Sequence, residues 1–431
     1  MKFISTRDKN HLVSARDAVL KGLPPDGGLY VPVSIPRFTE GELQELSTLA
    51  LHEIGSRIAL KFFDEDLPRN TIETICKEAF FFEAPLKKLD DSHFILELFY
   101  GPSLAFKDFA AAFMARLMAS FVKDEDREFT ILVATSGDTG SAVAHGFFNL
   151  PGIKVYVLYP SGKVSALQES QMATLGGNIT SCEVSGSFDD CQKLVKQAFL
   201  DPDIGTKLKL TSANSINIAR LIPQTVYYFS SYFGVRDLKR QVVFSVPSGN
   251  FGNLTAGLLA KHMGLPVRRF MAATNANDLF PVYLRSGKLT PRTPIATISN
   301  AMDVGDPSNF VRIQYLYNNQ LGPMRADLIG QGFSDQETLN MIERVYRKFS
   351  YLLDPHGAVG FLGLGQLLRE HPGALGISLE TAHPAKFLEV YPEALRSKIQ
   401  IPITLAEFAK RKKLSVPLQA SLSDLKKLLL S

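Results

Sequence analysis

Tryptophan is absent from the chain, cysteine is scarce and no apolar run is long. The three cysteines, Cys76, Cys182 and Cys191, are an odd set with no Cys-x-x-Cys spacing. That argues against a disulfide framework, so the thiols read as reduced groups in packed segments. No His/Cys/Asp/Glu spacing resembles a zinc or calcium site, and no metal is expected. No apolar stretch reaches the ~18 residues a bilayer span requires. The opening Met1-Lys-Phe-Ile-Ser-Thr-Arg-Asp8 lacks an apolar core followed by a small-residue cleavage site. These features predict a cytoplasmic protein without a membrane partner. An excess of one charge sign is also missing: 47 basic and 43 acidic residues leave a net +4, evenly spread. Nucleic acid is therefore not an expected partner. The lack of tryptophan by itself says nothing about function.

What is present is a chain of ordinary globular composition, 45% hydrophobic and 21% charged over 431 residues, enough for two or three domains. No repeat or low-complexity segment interrupts it. Residues 1–93 read as an N-terminal subdomain, with the turn Pro24-Pro-Asp-Gly-Gly28 and helical patterns over Thr39–Phe62 and Asn70–Phe82. From Phe94 onward short β-branched runs alternate with amphipathic helices, which predicts an α/β fold built on parallel sheets. Strands are expected at Ile131–Ala134, Lys154–Tyr159, Ile179–Val184, Gln241–Pro247 and Arg268–Thr274. Helices are expected at Ser141–Phe148, Ser165–Leu175, Phe188–Leu200 and Leu254–Met263. A further helix over Asn217–Phe233 should be kinked or delayed by Pro223. The reading gives two facing α/β domains, 94–233 and 234–431.

Two loops carry the chemistry. Gly101-Pro-Ser-Leu-Ala-Phe-Lys107-Asp108 places one lysine between a strand and a long apolar-faced helix, where small residues allow a flat molecule close approach. Ser248-Gly-Asn-Phe-Gly-Asn253 lies between the strand Val242–Val246 and a helix, where backbone N–H groups converge on phosphate. A lysine able to form an imine, together with a phosphate cradle, suggests pyridoxal phosphate. A third loop, Thr135-Ser-Gly-Asp-Thr-Gly-Ser141, suits a carboxylate, although a simple hydrogen-bonded turn explains its composition equally well.

Seven blocks taken together resemble the threonine synthases, a family within the tryptophan-synthase-β-like, fold type II group of pyridoxal-phosphate enzymes. They are Asp26–Pro32, Gly101–Phe109, Ala134–Gly140, Ser212-Ala-Asn-Ser-Ile-Asn-Ile-Ala-Arg220, Val246–Asn253, Ser299-Asn-Ala-Met-Asp303 and Glu380-Thr-Ala-His-Pro-Ala-Lys386. The resemblance implies that Lys107 carries the cofactor and shuttles protons. It gives Gly249, Asn250, Phe251, Gly252 and Asn253 the cofactor phosphate, through backbone N–H groups and the asparagine amides. Thr381 is then the hydroxyl facing the pyridine nitrogen. Ser136 and Thr139 receive the substrate carboxylate, and Asn214, Ser215 and Arg220 its phosphate. The implied reaction turns O-phospho-L-homoserine and water into L-threonine and phosphate, with no partner beyond this small substrate and no oligomeric state assigned. Elimination to a 2-oxo acid by a phospholyase or dehydratase is the alternative, and a non-catalytic pyridoxal-phosphate-binding protein is a third.

One position departs from the pattern. Where many relatives read Ser-Gly-Asn-Thr, this chain has Asp138, which must point away, carry a proton or find another partner. Lys163 and Lys386 read as solvated charges. His145 reads as a hydrogen-bonded packed residue, and His356 and His383 as loop residues. The stripe Phe109, Phe113, Met114, Leu117, Met118 and Phe121 reads as core.

Overall fold

Three fully buried apolar segments organise the molecule: Phe129–Ala134, Val242–Pro247 and Leu375–Glu380. Segments buried on both faces belong in the middle of parallel sheets covered by helices. The computed structural model, which describes residues 1–123 and 125–431, places them in two such sheets. One has five parallel strands in the order Val416–Gln419, Ile179–Ser185, Ile153–Pro160, Phe129–Ala134 and Lys209–Ser212. The other has six, in the order Leu328–Gly332, Val267–Thr274, Val242–Pro247, Leu375–Glu380, His93–Glu97 and Leu86–Lys88; only the last pairs antiparallel. A small antiparallel sheet of Val13–Ser14, Lys2–Ser5 and Tyr30–Pro32 stands apart.

Most expected elements are present, and the differences have local causes. The predicted helix over Thr39–Phe62 is two helices, Glu40–Leu46 and Leu51–Phe63. The Ser47 and Thr48 hydroxyls bond back to the carbonyls of Gln44 and Glu45, and the Glu53 carboxylate accepts the Ala50 N–H to start a second helix. Around Pro223 the chain makes two 3₁₀ turns, Ile218–Arg220 and Ile222–Gln224, before the α-helix Thr225–Phe233. Ser187 and Asp190 cap Phe188–Leu200 reciprocally, as their spacing predicts. The aromatic stripe on the helix Lys107–Val122 is buried, with Phe113 packed between Phe63 and Phe80. The cysteines are free and buried.

The expected cuts at 93 and 233 do not follow the sheets. His93–Glu97 lies beside Leu375–Glu380, and Val416–Gln419 crosses back to pair with Ile179–Ser185. Leu418, Leu425 and Leu429 then pack with Cys191, Leu194 and Ala198 in one apolar cluster. We therefore propose two discontinuous α/β units behind the N-terminal subdomain. Pairing between strands so distant in sequence leaves no mark on local periodicity.

Candidate active site

Lys107 is the first residue of its helix, and the loop before it is held from both sides. The Asp108 carboxylate accepts the Ser103 N–H at 2.9 Å, and a Cβ on Gly101 would meet that carboxylate at 2.4 Å, so only glycine fits there. Leu104 adopts a left-handed backbone, φ 57°. It is pinned there: its N–H donates to Gly101 O and its carbonyl accepts from His383 N–H, both at 3.0 Å. Phe106 N–H donates to Thr381 O at 2.9 Å, and Ala105 bridges Ala382. These contacts set Thr381 beside Lys107. Thr381 also follows Leu375–Glu380, which pairs with Val242–Pro247 in a register matching Ser245 to Ser378. Continued past the strand ends, that register brings the loop 248–253 next to Thr381.

Beside Lys107 lies a buried charge cluster. Asp138, first residue of the helix Asp138–Phe147, has one carboxylate oxygen 3.9 Å from Lys107 Nζ and the other 2.6 Å from Lys386 Nζ. Gln168 Nε2 donates to the second oxygen at 2.8 Å. Burial alone would raise the Asp138 carboxyl, but the Lys386 and Lys107 ammoniums and these hydrogen bonds outweigh it and hold it well below the usual range. Asp138 is therefore ionised and satisfied by another partner. That partner is Lys386, whose side chain is 0% exposed and also donates to Ser103 O at 2.6 Å, which corrects the solvated reading. Lys163 is exposed, as expected. Burial lowers the Lys107 ammonium; Asp138 opposes this, while Lys386 and Arg220 add to it.

Three clusters of unpaired backbone N–H groups face this region. Among the described residues, the N–H groups of Gly249, Asn250, Phe251, Gly252 and Asn253 have no acceptor within the chain, and neither do those of Ser136, Asp138 and Thr139 or of Ser215 and Ile216. Phe251, at φ 57°, turns the first cluster into the helix Gly252–His262. The asparagine side chains expected on the phosphate are engaged by the protein instead. Asn253 Nδ2 donates to Pro247 O, while Asn250 Nδ2 donates to Ser215 Oγ and its Oδ1 accepts the Ser308 N–H. They shape the loop and leave its N–H groups free. Asn214 Nδ2 likewise donates to Ala134 O at 3.0 Å, tying the second and third clusters together.

Arg220 is 3% exposed; its Nη1 donates to Ala213 O, and its buried Nε has no partner. Burial brings the guanidinium down to about 10, with the Asp108 charge opposing, so it remains a cation with a donor to spare. The histidines are less available. His356 accepts the Ala301 N–H at Nε2 and faces Asp354 through Nδ1, and His383 Nδ1 accepts the Ala385 N–H. His145 packs edge-on against Phe408 with Nε2 unbonded, and burial lowers it to about 4. Its packing matches the expectation. Lys386 and Arg312, the latter fully buried on the helix Phe310–Leu316, are not identifiable from the sequence, since nothing adjacent to them distinguishes them from surface charges.

A lysine at the carboxyl edges of two parallel sheets, ringed by free backbone donors, defines a fold type II pyridoxal-phosphate enzyme. Residues 83–376 match the family model described as pyridoxal-phosphate dependent enzyme. Residues 2–80 match the threonine synthase N terminus and 357–429 the threonine synthase C-terminal model. The chain is 43% identical to threonine synthase of Escherichia coli across 100% of both chains, and 46% identical to that of Haemophilus influenzae across 94% of each. The crystal structure of pyridoxal-phosphate-bound threonine synthase from Brucella melitensis, 35% identical, matches with a TM-score of 0.93 over 100% of this chain and 98% of its own. The chain belongs to the threonine synthase family.

Proposed function

We propose that this enzyme converts O-phospho-L-homoserine and water into L-threonine and phosphate, using pyridoxal phosphate. One observation carries the reading: three clusters of unpaired donors lie around the Lys107 amine, which Asp138 holds at 3.9 Å. A phosphorylated cofactor and a phosphorylated amino acid present three anionic groups, two phosphates and one carboxylate. The free N–H groups at 249–253 suit the cofactor phosphate, with Thr381 toward the ring nitrogen. Those at Ser136 and Thr139 suit the substrate carboxylate. Asn214, Ser215 and Arg220 suit the substrate phosphate, Arg220 through its unpartnered Nε.

Pyridoxal phosphate, when bound, would supply the electron sink that acidifies the hydrogen on the amino-bearing carbon. Lys107, its ammonium destabilised by burial, moves the proton at the substrate α-carbon. Asp138 stays anionic beside it and holds the amine in place. Arg220 neutralises the phosphate as it leaves the γ-carbon with the electron pair of the C–O bond. One proton is lost from the β-carbon and one gained at the γ-carbon, the hydroxyl of water bonds to the β-carbon, and its other proton leaves with the phosphate. The site is buried on the Lys386 side, which keeps bulk water from the charge cluster. A cytoplasmic location belongs to this reading, supported by three free, buried thiols. Product analysis with O-phospho-L-homoserine tests it: threonine with stoichiometric phosphate is expected, and 2-oxobutyrate as main product would replace it with elimination.

A further inference from the structure

Arg312 is the largest fully buried side chain in the molecule, 1% exposed, on the short helix Phe310–Leu316. Its Nε and Nη2 donate to Tyr30 O at 3.2 and 3.0 Å, and Nη2 also to Ile216 O at 2.6 Å. Its Nη1 donates to Ser215 O at 3.0 Å and Asn309 Oδ1 at 2.8 Å. Every acceptor is a neutral oxygen, and among the described residues no carboxylate lies within ion-pair distance. Burial lowers the guanidinium to about 9, which leaves it cationic at neutral pH. A buried charge without a counter-ion is costly unless an anion comes to rest nearby.

The groups Arg312 braces lie on the side where anions are placed. Ser215 Oγ accepts from Asn250 Nδ2 at 2.8 Å and from Asn309 Nδ2 at 3.2 Å, and Asn309 Nδ2 also donates to Asn250 O at 3.2 Å. Arg312 thus bonds the backbone of Ser215 directly and stands one residue, Asn309 or Ser215, behind the loop 248–253. A Cβ on Gly252 would sit in ordinary van der Waals contact with Asn309 Nδ2 and Ser215 Cβ, both at 3.6 Å, so the start of the helix Gly252–His262 lies directly against this brace.

We infer that Arg312 is a positioning residue for phosphate monoesters: a fixed positive charge, held behind Ser215 and Asn250, that the incoming phosphate compensates. The inference rests on the placement of phosphate at these loops proposed above. Arg312 touches no ligand itself and differs in this from Arg220, which has a donor free. A purely structural clamp joining Tyr30 to Ser215 and Ile216 would support every ligand alike. A charge favours ligands in proportion to their phosphate.

The test compares affinities in pairs, pyridoxal phosphate against pyridoxal and O-phosphohomoserine against homoserine, in wild type and in Arg312→Met, Arg312→Gln and Arg312→Lys. Arg312→Met should reduce the phosphate preference by at least roughly tenfold, the effect of one unit charge ~12 Å away at an effective dielectric of ~20. Arg312→Lys should retain most of it, and Arg312→Gln carries the comparison if the methionine variant does not fold. A fall in the cofactor pair assigns the charge to the cofactor phosphate, and a fall in the substrate pair to the substrate phosphate; either supports the inference. Equal loss for both members of each pair overturns it, as does an Arg312→Lys variant as impaired in preference as Arg312→Met. A wild type without phosphate preference would instead overturn the placement of phosphate at these loops, and the inference with it.

Discussion

The Lys386 ammonium lies 2.6 Å from one oxygen of Asp138 while the Lys107 amine lies 3.9 Å from the other. One buried carboxylate thus serves two lysines. With its partner at 386, Asp138 holds a negative charge next to the reactive amine in a place where an isolated carboxyl would take up a proton.

Breaking that pair from one side should cost far more than removing it whole. Lys386→Met should lower stability by about 3–5 kcal/mol, and the Lys386→Met/Asp138→Asn double variant should recover most of the loss. Because the folded Asp138 carboxyl is held below its unfolded value near ~3.9, its contribution is complete above that pH and disappears as pH falls below it. Urea midpoints for the wild type, Lys386→Met, Asp138→Asn and the double variant, at pH 7 and at acid pH, check both points. A double-variant loss equal to the sum of the two single-variant losses would show that the pair is not coupled.

Gly249→Ala should weaken cofactor retention. The added Cβ would sit 2.6 Å from Met302 Cα and 3.0 Å from its carbonyl carbon, and backbone cannot swing aside as a side-chain tip can. The loop must shift, at a cost of about 1–3 kcal/mol typical of overpacking. Equilibrium dialysis of pyridoxal phosphate measures the change, and unchanged affinity would move the phosphate elsewhere.

Glu380 is fully buried just before Thr381, with one oxygen accepting Asp354 N–H and the other unpartnered. Burial, reinforced by the Asp354 charge, raises its carboxyl well above the usual range. The unfolded chain releases this proton near pH ~4.3, so wild-type stability declines as pH rises from there toward the folded value. Glu380→Gln, neutral at every pH, should flatten that decline in denaturation series at pH 5, 7 and 9. Parallel slopes would mean that Glu380 ionises in the folded protein.

Arg220→Ala should distinguish phosphorylated from plain substrate. Hydrogen bonds to a charged group are worth about 1.5–3 kcal/mol, a loss of roughly 10–150-fold in kcat/KM for O-phosphohomoserine. Binding of homoserine should change little. Equal weakening of both would remove Arg220 from the phosphate.

Much of this was legible without coordinates, for a physical reason. Buried parallel strands such as Phe129–Ala134 and Val242–Pro247 are short apolar runs bounded by turn residues, and the donor-rich loops follow them directly. Local chemistry announces such features. The braces do not announce themselves: Lys386 meets Ser103 across 283 residues, and Arg312 meets Tyr30 across 282. A lone lysine in Pro384-Ala-Lys386-Phe387 reads as a surface charge until the carboxylate opposite it is known. Asn250 and Asn253 show the same limit in reverse, since their amides suit a phosphate on paper and turn out to be occupied by Ser215 and Pro247.

The strand Val416–Gln419 borders Ile179–Ser185, yet the ribosome delivers it long after that neighbour. At ~5–20 residues per second, the gap is roughly 10–50 s, during which the Ile179–Ser185 edge has no parallel partner and Cys191 and Leu194 lack their leucine cover. An emerging polypeptide with such an open border is exposed to edge-to-edge association until its last strand arrives.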